Sequence, residues 1–304
     1  MIIEACAPVR IDFAGAWTDV KFFAHPFGGA TTNAAIDSLV TGSTLVGAHS
    51  RPDGAAVPEG ISVTYETDIP AGSGLGTSSA LNVVWLALAR GKAIENERQR
   101  AQIAEQAYEV ETVLGILGGK QDQYASAFGG FNLFEFEESG VKVSPIAIEP
   151  DKIGELESLI SLCYTGQARL SSNLHENVWG GFRAGKREVV DSLFTLRDSA
   201  YRAREILESG NFDLLGALLN LQHECAKNLD SSLSNELVES IFDLVREDTV
   251  GAKCCGAGGG GCMIFVSDSP EKRALVQQKL RLQNLRVIDF KFALQGLTVT
   301  MRED

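Results

Sequence analysis

Apolar and polar positions along the chain change period several times, and each change marks an element. Ile2 to Cys6 and Arg10 to Ala14 read as two short strands, and Ala34–Val46 and Ile61–Tyr65 carry the β-branched residues of two more. Arg51-Pro52-Asp53-Gly54 is a turn. A helical period then predicts helices over Ser79–Arg90 and Glu97–Leu114. Phe131–Phe136 and Val141–Ile148 form a hairpin about Glu138-Ser139-Gly140, and Leu159–Tyr164 is a further strand. From Arg187 to Arg246 the spacing of Val190, Phe194, Ala203 and Leu207 is helical. Val250–Val266 encloses a run of glycines, and a helix over Pro270–Arg281 and a strand over Val287–Phe292 close the chain. The first half is mixed and β-rich, the second α+β. The expected boundary lies near residues 150–168 and is placed after residue 158, giving units 1–158 and 159–304. No Pro, Gly or Ser linker marks it, so the two units are expected to pack tightly.

Bulk properties narrow the classes. At 304 residues and 44% hydrophobic content the chain holds a sizeable core, in two domains or one large one. A net charge of −13 argues against non-specific nucleic-acid binding, which needs a basic face. No apolar run reaches the roughly eighteen residues of a membrane span, and Met1–Cys6 lacks the features of a secretory signal. The six cysteines are scattered and read as reduced, mostly buried thiols of a cytoplasmic protein. The histidines His25, His49, His175 and His223 lie far apart and read as structural or exposed, with no metal cluster. Oligomeric state stays open, a homodimer being one candidate.

Against this background three segments carry chemistry. In Ile69-Pro70-Ala71-Gly72-Ser73-Gly74-Leu75-Gly76-Thr77-Ser78-Ser79-Ala80, alternating glycines precede three hydroxyls and an apolar helical run. Glycine lets a backbone approach a ligand closely, and the hydroxyls are expected at the helix N-cap. The loop therefore faces either an anion, most often a phosphate, or merely caps the helix. The second glycine cluster, Gly256-Ala257-Gly258-Gly259-Gly260-Gly261, feeds the buried-strand run Cys262–Val266, which marks a close backbone approach or else a flexible connection.

Acidic residues form the third signal. On helix Glu97–Leu114 the stripe Ile103, Ala107, Val110 and Leu114 places Glu111 roughly 70° from its centre and Glu109 roughly 130° away. Glu109 is then solvated, whereas Glu111 needs a partner, either a metal ion or an internal cation. Asp122 follows a glycine-rich loop and is either an N-cap or the group that orients or deprotonates an attacking hydroxyl. In Pro8-Val9-Arg10-Ile11-Asp12-Phe13-Ala14-Gly15-Ala16-Trp17-Thr18-Asp19, two acids and an arginine surround a small-residue turn. They form an internal ion pair, or else Arg10 stands near a catalytic carboxylate, with Asp19 on a polyol and Trp17 as a flat apolar wall.

These segments, Ala7–Asp19, Pro70–Ala80 and Lys253–Cys262, resemble in order and separation the three motifs of the GHMP kinases, over nearly the whole chain. The resemblance implies a ribosomal-S5-like N-terminal domain and a ferredoxin-like C-terminal domain. It implies that Gly72–Ser79 wrap the phosphates of ATP. Ser78 and Glu111 would hold Mg²⁺, Asp122 would be the catalytic aspartate, and Arg10 would stand beside it. Gly258 and Gly259 would line the junction of nucleotide and acceptor sites. Arg10–Asp19, Gln121-Asp122-Gln123-Tyr124 and Tyr164–Arg169 are similar to segments of L-fucokinase or D-glycero-D-manno-heptose 7-phosphate kinase. That places Trp17, Asp19, Gly119, Gln123 and Arg169 with the acceptor sugar. Ala16 stands where those relatives usually have glycine. The implied reaction is transfer of the ATP γ-phosphoryl group to a sugar hydroxyl, expected at C1. A non-catalytic sugar sensor and a mevalonate-type kinase or decarboxylase are the alternatives. A phosphorylated acceptor would need a second anion site, for which Lys21, Lys120 and Arg169 are the candidates.

Overall fold

In a computed structural model of the protein, which describes residues 2–47, 60–70, 72–167 and 172–302, Ile2–Ala14 form one strand (β1) and not two. Pro8 cannot donate to a ladder, and the register with the next strand shifts between Pro8 and Val9. The chain kinks there without leaving the sheet. Exposure alternates up to Cys6, whereas Ala7–Ala14 are buried throughout, which hides the period-2 signal in the sequence.

Helix α1 (Lys21–Phe27) follows, then the strands β2 (Gly29–Gly47) and β3 (Gly60–Thr67). The turn expected at Arg51–Gly54 falls outside the described residues. Helices α2 (Thr77–Arg90), α3 (Glu97–Val113) and α4 (Gln121–Phe128) come next, followed by the hairpin β4 (Phe131–Glu137) and β5 (Gly140–Pro145). Then follow α5 (Pro150–Leu159), β6 (Ile160–Tyr164), α6 (Ser172–Arg183), α7 (Arg187–Ser209), α8 (Leu215–Leu229) and α9 (Glu236–Val245). Strands β7 (Gly251–Cys254) and β8 (Cys262–Val266), helix α10 (Pro270–Leu282) and strands β9 (Arg286–Ile288) and β10 (Thr298–Arg302) complete the chain.

The strands form two antiparallel sheets. The first runs β10-β1-β2-β4-β5, with β3 also on β2; the second runs β7-β8-β6-β9. The final strand thus leaves the second half and pairs with β1, Ile2 opposite Arg302. Helices α2 and α4 pack on β1, and α7 packs on β1 and β2. This cover buries Val9, Ile11 and Phe13 completely. A second apolar cluster, including Trp17, Phe23, Trp179 and Leu193, ties the turn after β1 to α6 and α7. Both apolar clusters reach the segment Arg10–Asp19, the first at Ile11, Phe13 and Ala14 and the second at Ala16 and Trp17.

Candidate active site

A cleft of about 260 Å³ opens where the loop before α2, the start of α4, the turn after β1 and the second glycine cluster meet. The helix cap of α2 is Gly76, at φ 79°, and no side chain caps it. The expectation of hydroxyl N-caps is corrected: Thr77, Ser78 and Ser79 are the first helical residues. The amides of a first turn have no partner within the helix. With no side chain closing the end, they and the helix dipole face the cleft, the arrangement that binds phosphate oxygens. Gly72, Ser73, Gly74 and Gly76 line the same wall. Leu75 points into the core, its carbonyl accepting the Arg10 amide at 3.0 Å, so it anchors the loop. Pro70 accepts the Ser73 amide at 3.2 Å and shapes the turn rather than lining the cleft.

Across from Gly76 stands Asp122, in the first turn of α4; the cap is Lys120. A Cβ on Gly76 would lie 3.2 Å from the Asp122 side chain, so glycine lets loop and aspartate meet. Arg10 is 2% exposed and donates to Asp122 Oδ1 through Nε at 2.9 Å and Nη2 at 2.5 Å, and to the Gly74 carbonyl through Nη1 at 2.6 Å. Burial disfavours its charge, yet Asp122 and Asp12 outweigh that and hold its pKa above the usual guanidinium range. Asp12 lies 3.7 Å from Arg10 Nη1 and accepts the Gly256 amide at 2.8 Å and the ammonium of buried Lys253. Lys253 opens the third motif in the sequence, but its pairing with Asp12 is visible only in the fold.

Glu111 is 7% exposed and reaches the cleft, while Glu109 is solvent-exposed, as the helical angle predicts. The stripe fails at its end, where Leu114 lies beyond the helix and is exposed. Glu111 Oε1 accepts Ser79 Oγ at 2.7 Å and Asn82 Nδ2 at 3.2 Å, and Oε2 accepts Gln123 Nε2 at 2.9 Å. Burial and the nearby Asp122 raise its pKa despite these three donors. Ser78 is exposed in the cleft. Three donors leave a carboxylate with spare lone pairs. Two carboxylates on one cleft with an exposed hydroxyl fit Mg²⁺, which takes few protein oxygens and completes its shell with phosphate and water. Gln123, read as an acceptor contact, is fully buried behind Glu111, so that placement is corrected: it orients the carboxylate.

The far end of the cleft holds Asp19, Trp17, Gly119 and His175. Asp19 Oδ2 accepts the Gln121 amide at 3.0 Å, and a Cβ on Gly119 would fall 1.9 Å from that oxygen. Burial, reinforced by Asp122, pushes the Asp19 pKa up to about 7 against the lowering by the Gln121 amide. Trp17 sits at φ 79°, a conformation rare for a bulky residue and kept only where the surroundings enforce it. Its Nε1 donates to the Ala257 carbonyl at 3.1 Å, and its ring lies 4.8 Å from that of His175. His175 Nδ1 in turn accepts Trp179 Nε1 at 3.3 Å. His175, read as structural or exposed, is buried and hydrogen-bonded, and it also lines the cleft.

The second glycine cluster reaches the cleft at Gly256 and Ala257. Gly258 and Gly259 do not: Gly259 donates to the Leu233 carbonyl at 2.9 Å, and Gly258 borders a small cavity behind Trp17. Their assignment to the acceptor junction is corrected accordingly. Close approach is realised next door, where Cβ atoms on Gly261 and Gly74 would lie 2.5 Å from Ser73 O and 2.7 Å from Cys255 O. The cluster thus buttresses the phosphate-facing loop. Arg169 falls outside the described residues. Among the described residues no helix is long and apolar enough to cross a membrane, and all six cysteines are free thiols.

A helix end open to a cleft, opposite an arginine–aspartate pair, is the arrangement expected of a phosphotransferase site. Residues 42–130 match the model of the GHMP kinases N-terminal domain and residues 203–284 that of the GHMP kinases C-terminal domain. The chain belongs to the GHMP kinase family, with its two-domain α+β fold. It is 29% identical to D-glycero-alpha-D-manno-heptose 7-phosphate kinase of Campylobacter jejuni, over 97% of this chain and 98% of that protein. It is 28% identical to L-fucokinase/L-fucose-1-P guanylyltransferase of Bacteroides fragilis, over 92% of this chain but 36% of that longer protein. The crystal structure of a D-glycero-D-manno-heptose 1-phosphate kinase from Bacteroides thetaiotaomicron superposes with a TM-score of 0.73 at 24% identity, covering 99% of this chain and all of that one, and supports the fold.

Proposed function

We propose that the protein transfers the γ-phosphoryl group of ATP to a sugar hydroxyl, at the anomeric carbon, and that the sugar already carries a phosphate. The observation that carries the kinase reading is the Arg10–Asp122 pair facing the open end of α2 across Gly76. Phosphoryl transfer through a loose transition state depends on positioning and on charge neutralisation. The amides of Gly72–Ser79 hold the phosphates. Ser78 and Glu111 would hold Mg²⁺, which when bound neutralises phosphate oxygens. Asp122 accepts the proton of the attacking hydroxyl or holds that hydroxyl in line, and Arg10 fixes its carboxylate. Asp19 accepts sugar hydroxyls, and the Trp17 ring covers the apolar face of the sugar.

The phosphorylated acceptor is favoured by two cations. Lys21 Nζ and the Arg183 guanidinium approach the Phe22 ring at 5.7 and 5.6 Å, on the segment that follows Val20 of the cleft wall in sequence. Lys120 is committed elsewhere, paired with Glu105 at 2.7 Å. Free thiols suit a cytoplasmic setting. The units 1–158 and 159–304 are retained as a proposed division, with Thr298–Arg302 returned to the first sheet. The test is ADP release with free sugars and sugar 7-phosphates, for the native enzyme and Asp122→Asn. A loss of at least 100-fold in kcat is expected from removing a group that acts on the transferred proton; activity within a few-fold of native would overturn the assignment.

A further inference from the structure

Four charges of alternating sign run from the second half of the chain to the proposed catalytic group. Lys253, at the end of β7 and 4% exposed, donates its ammonium to Asp12 Oδ2 and, at 2.8 Å, to the Asp12 carbonyl. Asp12 is fully buried; its other oxygen accepts the Gly256 amide at 2.8 Å and faces Arg10 Nη1 at 3.7 Å. Arg10 ends the series on Asp122. Arg10 and Asp12 alternate on β1 and so share one face of the strand.

Buried charges at this density are costly to desolvate, and apolar residues of similar volume often serve stability as well or better. What such a network supplies is a fixed geometry. Arg10 has a long, rotamer-rich side chain, and its guanidinium donates to Asp122 Oδ1 through both Nε and Nη2. With Asp12 anchored at both oxygens, the Arg10 fork is held between Asp12, the Gly74 carbonyl and Asp122. We infer that Lys253 is a positioning residue for phosphoryl transfer: through Asp12 it sets the Arg10 guanidinium, and through Arg10 the carboxylate of Asp122. It joins the second glycine cluster to the reacting centre without touching substrate. The inference rests on the proposed role of Asp122.

The test is a mutant cycle on the full chain. Asp12→Asn and Lys253→Met are combined, so that neither member of that pair stays buried as a lone charge, and introduced with Asp122 intact and with Asp122→Asn. ADP release and melting temperature are measured for each. With Asp122 intact, kcat is expected to fall at least 30-fold while KM for ATP and for sugar stays within threefold. In the Asp122→Asn background the same pair is expected to change residual kcat less than threefold, because the effect passes through Asp122. Equal losses in both backgrounds, or an unchanged kcat with Asp122 intact, overturn the inference. If the double variant does not fold, Lys253→Arg, which keeps the charge and moves the donors, is measured in the same two backgrounds. A loss of threefold or more confined to intact Asp122 supports the inference; no loss, or equal losses, overturns it. An active Asp122→Asn enzyme would instead defeat the catalytic reading before the cycle is built.

Discussion

The carboxylate of Asp19 accepts the backbone N–H of Gln121, the residue immediately before Asp122 at the start of the same helix. The proposed sugar-binding group and the proposed catalytic group are therefore held by one turn of α4. A shift of the Asp19 carboxylate on sugar binding bears directly on the first turn that carries Asp122.

Asp19 also titrates in the range where an assay can follow it. Its pKa in the folded protein is about 7, raised chiefly by burial, against an ordinary value of 3.8. A raised folded value means that the native state keeps a proton the unfolded chain has released. Stability from this group is complete below the ordinary value, falls as pH rises through the folded value, and is level above it. At neutral pH and above, Asp19→Asn is expected to be more stable than the native enzyme, by at most about 4 kcal/mol, with no advantage near pH 4. Sugar affinity should move the opposite way, rising in the native enzyme as Asp19 ionises, and lacking that rise in the variant. Melting curves and sugar KM at pH 5 and pH 8 check both.

Gly119 shows what the loop between Glu111 and Asp122 must leave empty. Any Cβ there meets the Asp19 carboxylate at 1.9 Å, and this is a short, packed side chain that cannot yield without moving. Gly119→Ala is expected to raise KM for the sugar at least tenfold while KM for ATP changes less than threefold. The overpacking should cost about 1–3 kcal/mol. Steady-state kinetics with each substrate varied, together with a thermal melt, tests the split.

Much of this site was legible because its parts are local. A glycine loop before a helix, a carboxylate at the edge of an apolar stripe and an aspartate after a glycine run each leave a mark within ten or so residues, and Gly72–Ser79, Glu111 and Asp122 do meet in one cleft. What stayed hidden is set by pairing across the chain. Nothing near Lys253 shows that its partner is Asp12, 241 residues away. Nothing near Thr298 shows that the last strand returns to β1. Gln123 resembles a cleft residue by position, but its place on the short helix α4 turns it inward to Glu111. Gly258 and Gly259 look equivalent to Gly256 in sequence; the turn carries them behind Trp17, toward Leu233.

Gln123 gives a prediction of its own. Its Nε2 holds one oxygen of Glu111 from a fully buried position, so it fixes the direction in which the carboxylate presents itself to the cleft. Groups that orient a metal ligand typically change metal affinity about 10–100-fold when lost. Gln123→Met, close in volume and without a donor, is expected to raise the Mg²⁺ concentration needed for half-maximal activity by at least tenfold. At saturating Mg²⁺, kcat should stay within about threefold of native. Magnesium titrations at fixed ATP check this, and an unchanged half-saturation would remove Gln123 from the metal site.

The cations beside Phe22 decide between acceptors. Lys21 and Arg183 reach the same ring, Phe22, from α1 and from the end of α6, although they lie far apart in sequence. Neither is needed to hold a neutral sugar. Replacing both with Ala is expected to raise KM for a sugar 7-phosphate at least 30-fold and to leave KM for the corresponding free sugar within threefold. Each exposed cation contributes modestly, and the effect on the phosphorylated acceptor should shrink as salt is raised, since screening acts on solvent-exposed charge. Equal KM values for the two acceptors in the native enzyme would show that the protein does not read the phosphate, and would leave a neutral sugar as its substrate.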